Sequence, residues 1–198
     1  MSKKLTGYRE ITPYGLTTGA AVIFKNFDIA TDTVETAKAK ALSATSGGVA
    51  VAIEYPNAWD REIDGVPANS IGMREKEEVL PTFKATLVEM ANAEVLASAL
   101  GGATVEDATG KTGYKLVVPK HDLDESDYLQ NLTAITQTKK GEPLIIQILN
   151  PLSTEGFEFA TESKAGGGAE VTFTGNYNPL DINDIPIKFF VPVAADAE

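Results

Sequence analysis

Apolar and polar residues alternate along much of this chain, and a spacing of two is the pattern of β-strands with one buried face. The alternation is clearest in three segments: Val49, Val51, Ile53 and Tyr55; Val79, Pro81, Phe83, Ala85 and Leu87; Val171 and Phe173. Further strand candidates lie at residues 20–27, 114–118, 132–138, 143–149, 156–161 and 187–193. About nine short strands separated by turn residues predict a mainly β fold, either a sandwich or a barrel.

One flanking helix is predicted at residues 92–100. Asn92 can cap its first N–H groups, and the two glycines after Leu100 can end it in a left-handed conformation at little cost. Its predicted buried stripe consists of Val95, Leu96 and Leu100. A second helical pattern, at residues 32–42, has Asp32 and Glu35 at capping-box spacing. Its apolar face is weak, so a surface turn or an extended connection competes with a helix there.

The segment between the first two long strands, residues 57–73, is longer than a hairpin requires, and long excursions inside compact domains are usually functional. It mixes large apolar side chains with charges, so we expect a partner that buries the apolar groups. The candidate site residues are Trp59, Asp60, Arg61, Glu62, Asp64, Gly65 and Arg74. Trp59, the only tryptophan, has two interpretations that the sequence leaves open: a core residue or an anchor between subunits.

The 198 residues contain no Cys and one His, which excludes disulfides, thiol nucleophiles and multi-histidine metal sites. His121 lies beside Asp122, but no Gly-x-Ser-x-Gly sequence accompanies them, which favours a surface histidine. The segment from Asp122 starts like a calcium loop. However, Asp127 stands where that loop needs Gly and Thr133 where it needs Glu, so a solvated acidic loop or helix start is favoured. We expect no enzyme activity, cofactor or metal.

Acidic residues outnumber basic ones by 28 to 17, and the excess is uneven. Residues 1–99 hold 10 basic and 13 acidic residues, whereas residues 100–198 hold 7 and 15, with every Arg in the first part. A net charge of -11 leaves no basic stripe for nucleic acid, so contact with DNA is expected to be repulsive or indirect. Apolar clusters fall far short of the ~20 residues of a membrane span. We expect a soluble, unprocessed chain that is made in the cytoplasm and contacts no membrane.

Several segments, taken in order, resemble the tail tube (major tail) protein of long-tailed bacteriophages, especially those with flexible, non-contractile tails. The resemblance covers nearly the whole chain. Its main segments are GAAVIFKNFD at 19–28, SGGVAV at 46–51, REIDGV at 61–66, NSIG at 69–72, LPTFKATL at 80–87, ALGG at 99–102, IIQILNPL at 145–152, EF at 158–159, VTFTGNYN at 171–178 and IP at 185–186.

The resemblance implies a single domain over residues 1–198, a β-sandwich with one flanking helix, that forms hexameric rings stacked into a hollow tube. Residues 57–73 then correspond to a loop that contacts a neighbouring ring, and residues 1–16 and 191–198 to arms that reach other subunits. The implied partners are further copies of the chain, the tape measure and tail terminator proteins, and phage DNA that passes through without specific binding. The implied location is the tail of the virion, after assembly in the host cytoplasm.

A tube that conducts DNA needs a neutral or acidic wall, because Lys and Arg side chains would hold the phosphates. The candidates for an acidic wall are Glu142, Glu155, Glu158, Glu162 and Glu170. Two other functions remain open. A secretion-system tube protein shares the architecture implied by the resemblance. The other is a carbohydrate- or surface-binding β-sandwich, which would need a cluster of exposed aromatic side chains to bind its ligand. One Trp and scattered Tyr residues do not form an obvious cluster of this kind.

Overall fold

The computed structural model describes residues 7–9, 11–161 and 167–193, and strands dominate this part of the chain. Its helices are α1 (Thr12–Gly15), α2 (Val34–Ala39) and α3 (Ala93–Ala99), with a 3₁₀ turn at Glu125–Asp127. Its strands are β1 (Thr17–Lys25), β2 (Ala41–Ser43), β3 (Thr45–Glu54), β4 (Ala58–Asp60), β5 (Arg74–Lys76), β6 (Leu80–Leu87), β7 (Ala103–Asp107), β8 (Lys115–Pro119), β9 (Asn131–Thr138), β10 (Pro143–Leu149), β11 (Leu152–Ser153), β12 (Glu158–Ala160), β13 (Gly168–Thr174) and β14 (Ile187–Phe190).

Two antiparallel sheets form the body of the molecule. Sheet A has the strand order β14-β10-β9-β1-β2, and sheet B has the order β11-β13-β6-β3, with β12 beside β13. Buried side chains from both sheets and from α3 make one hydrophobic cluster, so the sheets pack face to face. The mainly β prediction is confirmed. Of the two predicted architectures the chain adopts the sandwich, since no sheet of the described residues closes into a barrel.

The alternation in the sequence matches the two faces of sheet B. On β6, Phe83, Ala85 and Leu87 are buried, and the residues between them face outward. Phe83 pairs with Val51 on one side and with Phe173 on the other, which places a continuous apolar row against sheet A. Because successive side chains of a strand point to opposite faces, this register leaves the intervening positions for the outer surface.

Helix α3 lies where it was predicted, and its ends match the predicted caps. The Asn92 side chain accepts a hydrogen bond from the Glu94 N–H, and Gly101 follows the helix with φ +69°. The predicted buried stripe needs one correction. Val95 and Ala99 are the buried residues, while Leu96 and Leu100 are only partly buried. Val95 and Ala99 are four residues apart and so lie on the same helix face, which is the face that packs on the sandwich. A β-carbon at Gly101 would lie 2.1 Å from the carbonyl oxygen of Ser153, so the helix end also requires Gly for space.

Helix α2 forms within the weaker helical pattern, and its capping box starts one residue later than predicted. Thr33 and Thr36 cap each other, whereas the prediction started the box at Asp32; the side chain of Glu35 lies outside the described part of the structure. Asp32 instead accepts hydrogen bonds from the Asp28 N–H at 2.7 Å and from Lys40 Nζ at 2.7 Å. The Asp32 carboxylate therefore connects Asp28, which precedes α2, with Lys40, which follows it.

The stability of the fold is expected to fall in acid. The hydrogen bond from Lys40 lowers the pKa of Asp32, and the ion pair with Lys25 lowers the pKa of Glu94. A carboxyl group with a lowered pKa stabilises the fold above its unfolded pKa of about 4, and that contribution is lost as the pH falls through the folded pKa. Asp32→Asn removes one such group, so the variant should lose less stability than the parent between pH 7 and pH 3. Urea unfolding at both pH values measures the difference; an equal loss in both proteins would show that the Asp32–Lys40 pair contributes nothing.

The outer face of sheet A carries an apolar row. Val22 pairs with Ile135, Ile135 with Ile145, and Ile145 with Phe190, so the four side chains cross β1, β9, β10 and β14 in register. Val22 is 48% exposed and the other three are partly buried. The described part of the chain thus leaves a row of large apolar groups at the surface of this sheet.

The outer face of sheet B is different, because small and hydroxyl-bearing side chains line a shallow groove there. The groove is lined by Ala50, Ala52, Glu54, Leu80, Thr82, Lys84, Thr154, Glu155, Thr172 and Thr174. Lys84 is the only basic residue among them, and its Nζ lies 2.8 Å from Glu170 Oε1. The pKa of Lys84 is raised, first by the hydrogen bond to Glu170 and further by the charge of Glu155. The one lysine that lines this groove is therefore paired with a carboxylate.

The two predicted terminal arms lie only partly within the described residues. Residues 1–6, 10 and 194–198 are outside them, as is the candidate wall residue Glu162. Within the N-terminal segment, α1 forms a single helical turn that the sequence did not predict. After β14, Val191 and Val193 are exposed. The proposed contacts of these arms with other subunits stay predictions.

Candidate functional site: a projecting hairpin arm

The excursion at residues 57–73 belongs to a hairpin that continues the β3–β6 pair beyond sheet B. The last pair inside sheet B is Glu54 with Leu80, and the next paired strands are β4 and β5, starting with Ala58 opposite Lys76. β4 and β5 form a two-stranded sheet of their own. We call residues 55–79 the arm and residues 61–73, which connect β4 to β5, its tip. The predicted loop is thus the outer part of a β-ribbon.

Ion pairs across the ribbon bring three of the predicted site residues together. Arg74 Nη1 lies 3.2 Å from Asp60 Oδ1, and Arg61 Nη2 lies 2.7 Å from Glu75 Oε1. Arg61 and Arg74 remain more than half exposed, and exposed ion pairs contribute at most about 1 kcal/mol each. These pairs therefore fix the register of the arm more than they stabilise the domain.

Trp59 lies on the arm and outside the core. Its side chain is 43% exposed, and its indole N–H donates to Glu77 Oε1 at 3.1 Å. Near the base of the arm, Lys76 Nζ lies 3.7 Å from the centroid of the Tyr55 ring, a cation–π contact. The interpretation of Trp59 as a core residue is wrong; its role as an anchor between subunits stays a prediction.

The tip is built from tight turns. Gly65, Asn69 and Gly72 all have positive φ, at 82°, 63° and 87°. The hydroxyl of Ser70 donates to the carbonyl oxygen of Pro67 at 2.7 Å. Glycine and asparagine adopt this left-handed backbone most readily. The predicted site residue Gly65 therefore shapes the tip, while Glu62 and Asp64 are exposed on it.

Three aliphatic side chains of the tip face solvent. Ile71 is fully exposed, at 103%, and Ile63 and Val66 are 47% and 40% exposed. Burying one aliphatic side chain of this size is worth roughly 1.5–3 kcal/mol. Covering the tip with another surface would therefore be favourable in free energy. The partner expected from the sequence, which would bury these groups, stays a prediction.

The molecule as a whole exposes more surface than a compact monomer. Its accessible area is 13749 Å², against about 9,000 Å² expected for a compact protein of 21.0 kDa. The arm, with Ile71 fully exposed at its tip, contributes to this large surface.

A second exposed ribbon, formed by β7 and β8, was only half predicted. β8 matches the expected strand at residues 114–118, whereas β7 was not foreseen because it contains one large apolar residue, Val105. Val105, Leu116 and Val118 are 41%, 50% and 44% exposed. One side of this ribbon packs against α3. Exposed apolar residues therefore lie on both two-stranded ribbons of the described chain.

The other chemical candidates are structural or solvated. Asp124 caps the 3₁₀ turn, and the hydrogen bond from the Ser126 hydroxyl lowers its pKa. The acidic segment is therefore a helix start, as favoured from the sequence. His121 is almost fully exposed, with Nδ1 3.2 Å from Asp122 Oδ1. Across residues 7–9, 11–161 and 167–193, no group of three or more His, Asp or Glu side chains is arranged to hold a metal ion.

Comparisons with known proteins add no relative. No protein-family model matches the chain, and no curated protein matches its sequence. Among the described residues, no helix has both the length and the apolar character needed to cross a bilayer. The arm with its apolar tip is therefore the strongest candidate for a functional surface among the described residues.

Proposed function

We propose that the chain is a structural subunit that assembles into a hollow tube, the tail tube of a long-tailed bacteriophage. In this proposal six copies form a ring, the rings stack, and DNA passes through the lumen. The observation that carries the proposal is the arm. It is a hydrogen-bonded ribbon that projects from the sandwich and presents Ile63, Val66 and Ile71 to solvent. A structure of this kind suits contact with another macromolecule.

The partner that fits these surfaces best is a further copy of the chain. The arm tip leaves Ile63, Val66 and Ile71 uncovered, and most assemblies of soluble proteins join identical chains. If the arm of one copy binds a different surface of the next copy, the contact is head-to-tail. Contacts of this kind build rings or filaments instead of closed dimers. The choice of a tail tube among such assemblies rests on the sequence resemblance to tail tube proteins.

The outer face of sheet B suits the wall of the channel. Glu155 lines its groove, and Glu158 lies opposite Glu170 in register, so these three acids share that face. Glu142 belongs instead to the turn between β9 and β10. An acidic face with one neutralised lysine offers no cation to DNA phosphates, whereas the apolar row on sheet A is unsuited to an aqueous channel.

The remaining partners belong to the same proposal. A tail tube subunit contacts the tape measure and tail terminator proteins and is located in the tail of the virion, after assembly in the host cytoplasm. DNA then passes the subunit without being bound specifically. The proposal includes no catalytic step, cofactor or membrane contact.

Negative-stain electron microscopy of the concentrated, purified protein tests the proposal. We expect rings or long hollow tubes, because burial of the apolar arm tip favours association as the concentration rises. The same tubes should not retain double-stranded DNA at low salt, since their wall lacks free cations.

Three outcomes would count against the proposal in different ways. A monodisperse monomer at high concentration and at every salt concentration would exclude self-assembly. Tubes that appear only together with sheath-like machinery would favour the secretion-system alternative. Monomers that bind immobilised glycans would favour the carbohydrate-binding alternative, for which the described surface shows no cluster of aromatic side chains.

A further inference from the structure

A gap opens between the two sheets near the first halves of β1 and β3. Its volume is about 240 Å³, and its eleven lining residues include no charged side chain. Small residues at its rim, among them Gly19, Ala20, Gly47 and Gly48, leave it wide. An apolar cavity of ~150 Å³ in a protein core is enough to hold benzene. The gap therefore has room for an aliphatic side chain from outside.

Two irregular strands create this gap. β1 changes register with β9 between Thr18 and Val22, and β3 changes register with β6 between Ser46 and Val49. Gly19, Gly47 and Gly48 have φ of +87°, +79° and +86° in these stretches. β-bulges of this kind bend a strand away from its neighbour. The irregular stretches of β1 and β3 both line the gap.

The gap and the arm lie at different ends of the same strand. The lining residues of β3 are at positions 47–51, whereas the arm follows Glu54 at the other end of the strand. Gly48 and Glu54 are about 20 Å apart at ~3.3 Å per residue. The arm therefore leaves sheet B at the end of β3 that is remote from the gap. A second copy displaced along the strand direction brings its gap to the tip of the first.

The charges around the two surfaces are complementary. Glu62 and Asp64 are exposed on the tip. Lys139 and Lys140 lie in the turn between β9 and β10, and the Lys139 N–H donates to the carbonyl oxygen of Leu16, next to the start of β1. Lys139 therefore lies beside the opening into which the tip, with Glu62, Asp64 and its apolar side chains, would enter. Complementary charges of this kind set orientation and register.

We propose that the gap is the receptor for the arm tip of a second copy, with Ile71 entering between the sheets and Asp64 meeting the Lys139 turn. This inference rests on the proposed tube and specifies the contact that joins one ring to the next. It also explains why the gap is lined by small apolar residues and why the tip leaves its aliphatic side chains uncovered.

A disulfide trap tests the contact, and the absence of Cys from the chain makes introduced pairs unambiguous. The double variant Ile71→Cys/Ala20→Cys is concentrated until tubes form, oxidised, and separated on a non-reducing gel. The matched control is Ile71→Cys/Ala52→Cys, because Ala52 is also an exposed alanine but lies on the outer face of sheet B. We expect a ladder of linked chains, on the order of tenfold more than in the control, because a disulfide needs Cα atoms roughly 4.4–6.8 Å apart.

Each outcome separates this inference from the proposed function. Tubes with no more ladder than in the control would overturn the receptor while leaving the tube intact. If the unmodified protein forms no tubes, the proposed function and the receptor fall together. If the cysteine variants do not assemble, charge reversal decides: Asp64→Lys and Lys139→Glu should each weaken stacking, and their combination should restore it. Absence of that rescue would contradict the contact.

Discussion

Replacing the arm tip by a two-residue turn is expected to abolish tube formation while leaving the subunit folded. Asp60 and Arg74 are paired across the ribbon, so Asn-Gly in place of residues 61–73 closes the hairpin without distorting it. The removed side chains are largely exposed, and we expect the free energy of unfolding to change by no more than about 1 kcal/mol. Electron microscopy and urea unfolding of the same preparation measure both effects.

A conservative control separates the length of the tip from its apolar character. Replacing Ile63, Val66 and Ile71 by serine keeps the tip intact but removes the groups to be buried, so stacking should be lost as in the deletion. Replacing the same three residues by other aliphatic side chains, such as Ile71→Val, should preserve it. Unfolding of the shortened protein would instead show that the tip belongs to the core. Normal tubes from the serine variant would show that its aliphatic groups do not drive stacking.

Phe83→Ala is expected to destabilise the sandwich by about 3–5 kcal/mol, since the side chain is fully buried between two strands of sheet B and the opposite sheet. That loss is a large part of the ~5–15 kcal/mol that stabilises a typical domain. The measurement is urea unfolding followed by circular dichroism. Fluorescence is a poor probe here, because the only tryptophan lies on the arm.

Phe159→Ala is the matched control for this substitution. Phe159 lies on β12 at the edge of sheet B and is 47% exposed. The same chemical change there should cost less than about 1 kcal/mol. Equal losses at the two positions would contradict the assignment of Phe83 to the centre of the core.

The long strands could be predicted from the sequence because one buried face leaves a periodic trace. β10 matches its predicted residues 143–149, and β6 differs from its predicted segment by one residue. β7 and the arm strands leave no such trace, because both of their faces are exposed and their residues are mixed in character. Strands whose residues are mostly exposed carry little hydrophobic periodicity.

The candidate site was predicted in part. The mixture of charges and aliphatic groups at residues 57–73 predicted an interaction surface. The ion pairs of Arg61 and Arg74 with acids across the ribbon could not be predicted, because they depend on the strand register. The gap between β1 and β3 could not be predicted, because it arises from two register shifts that bring distant glycines together. Sequence shows glycines in a strand but not which other strand faces them.

The neutralised lysine on sheet B has a consequence for a polymer moving along that face. Lys84 pairs with Glu170, and Glu155 accepts a hydrogen bond from the Thr172 hydroxyl at 2.7 Å, so the lysine and this carboxylate both have partners within the face. Counterions leave DNA when a protein cation replaces them at the phosphates. Since Lys84 is engaged with carboxylates, DNA in the proposed channel would keep its own ionic atmosphere and travel as a fully hydrated rod, separated from the wall by a layer of water and mobile ions.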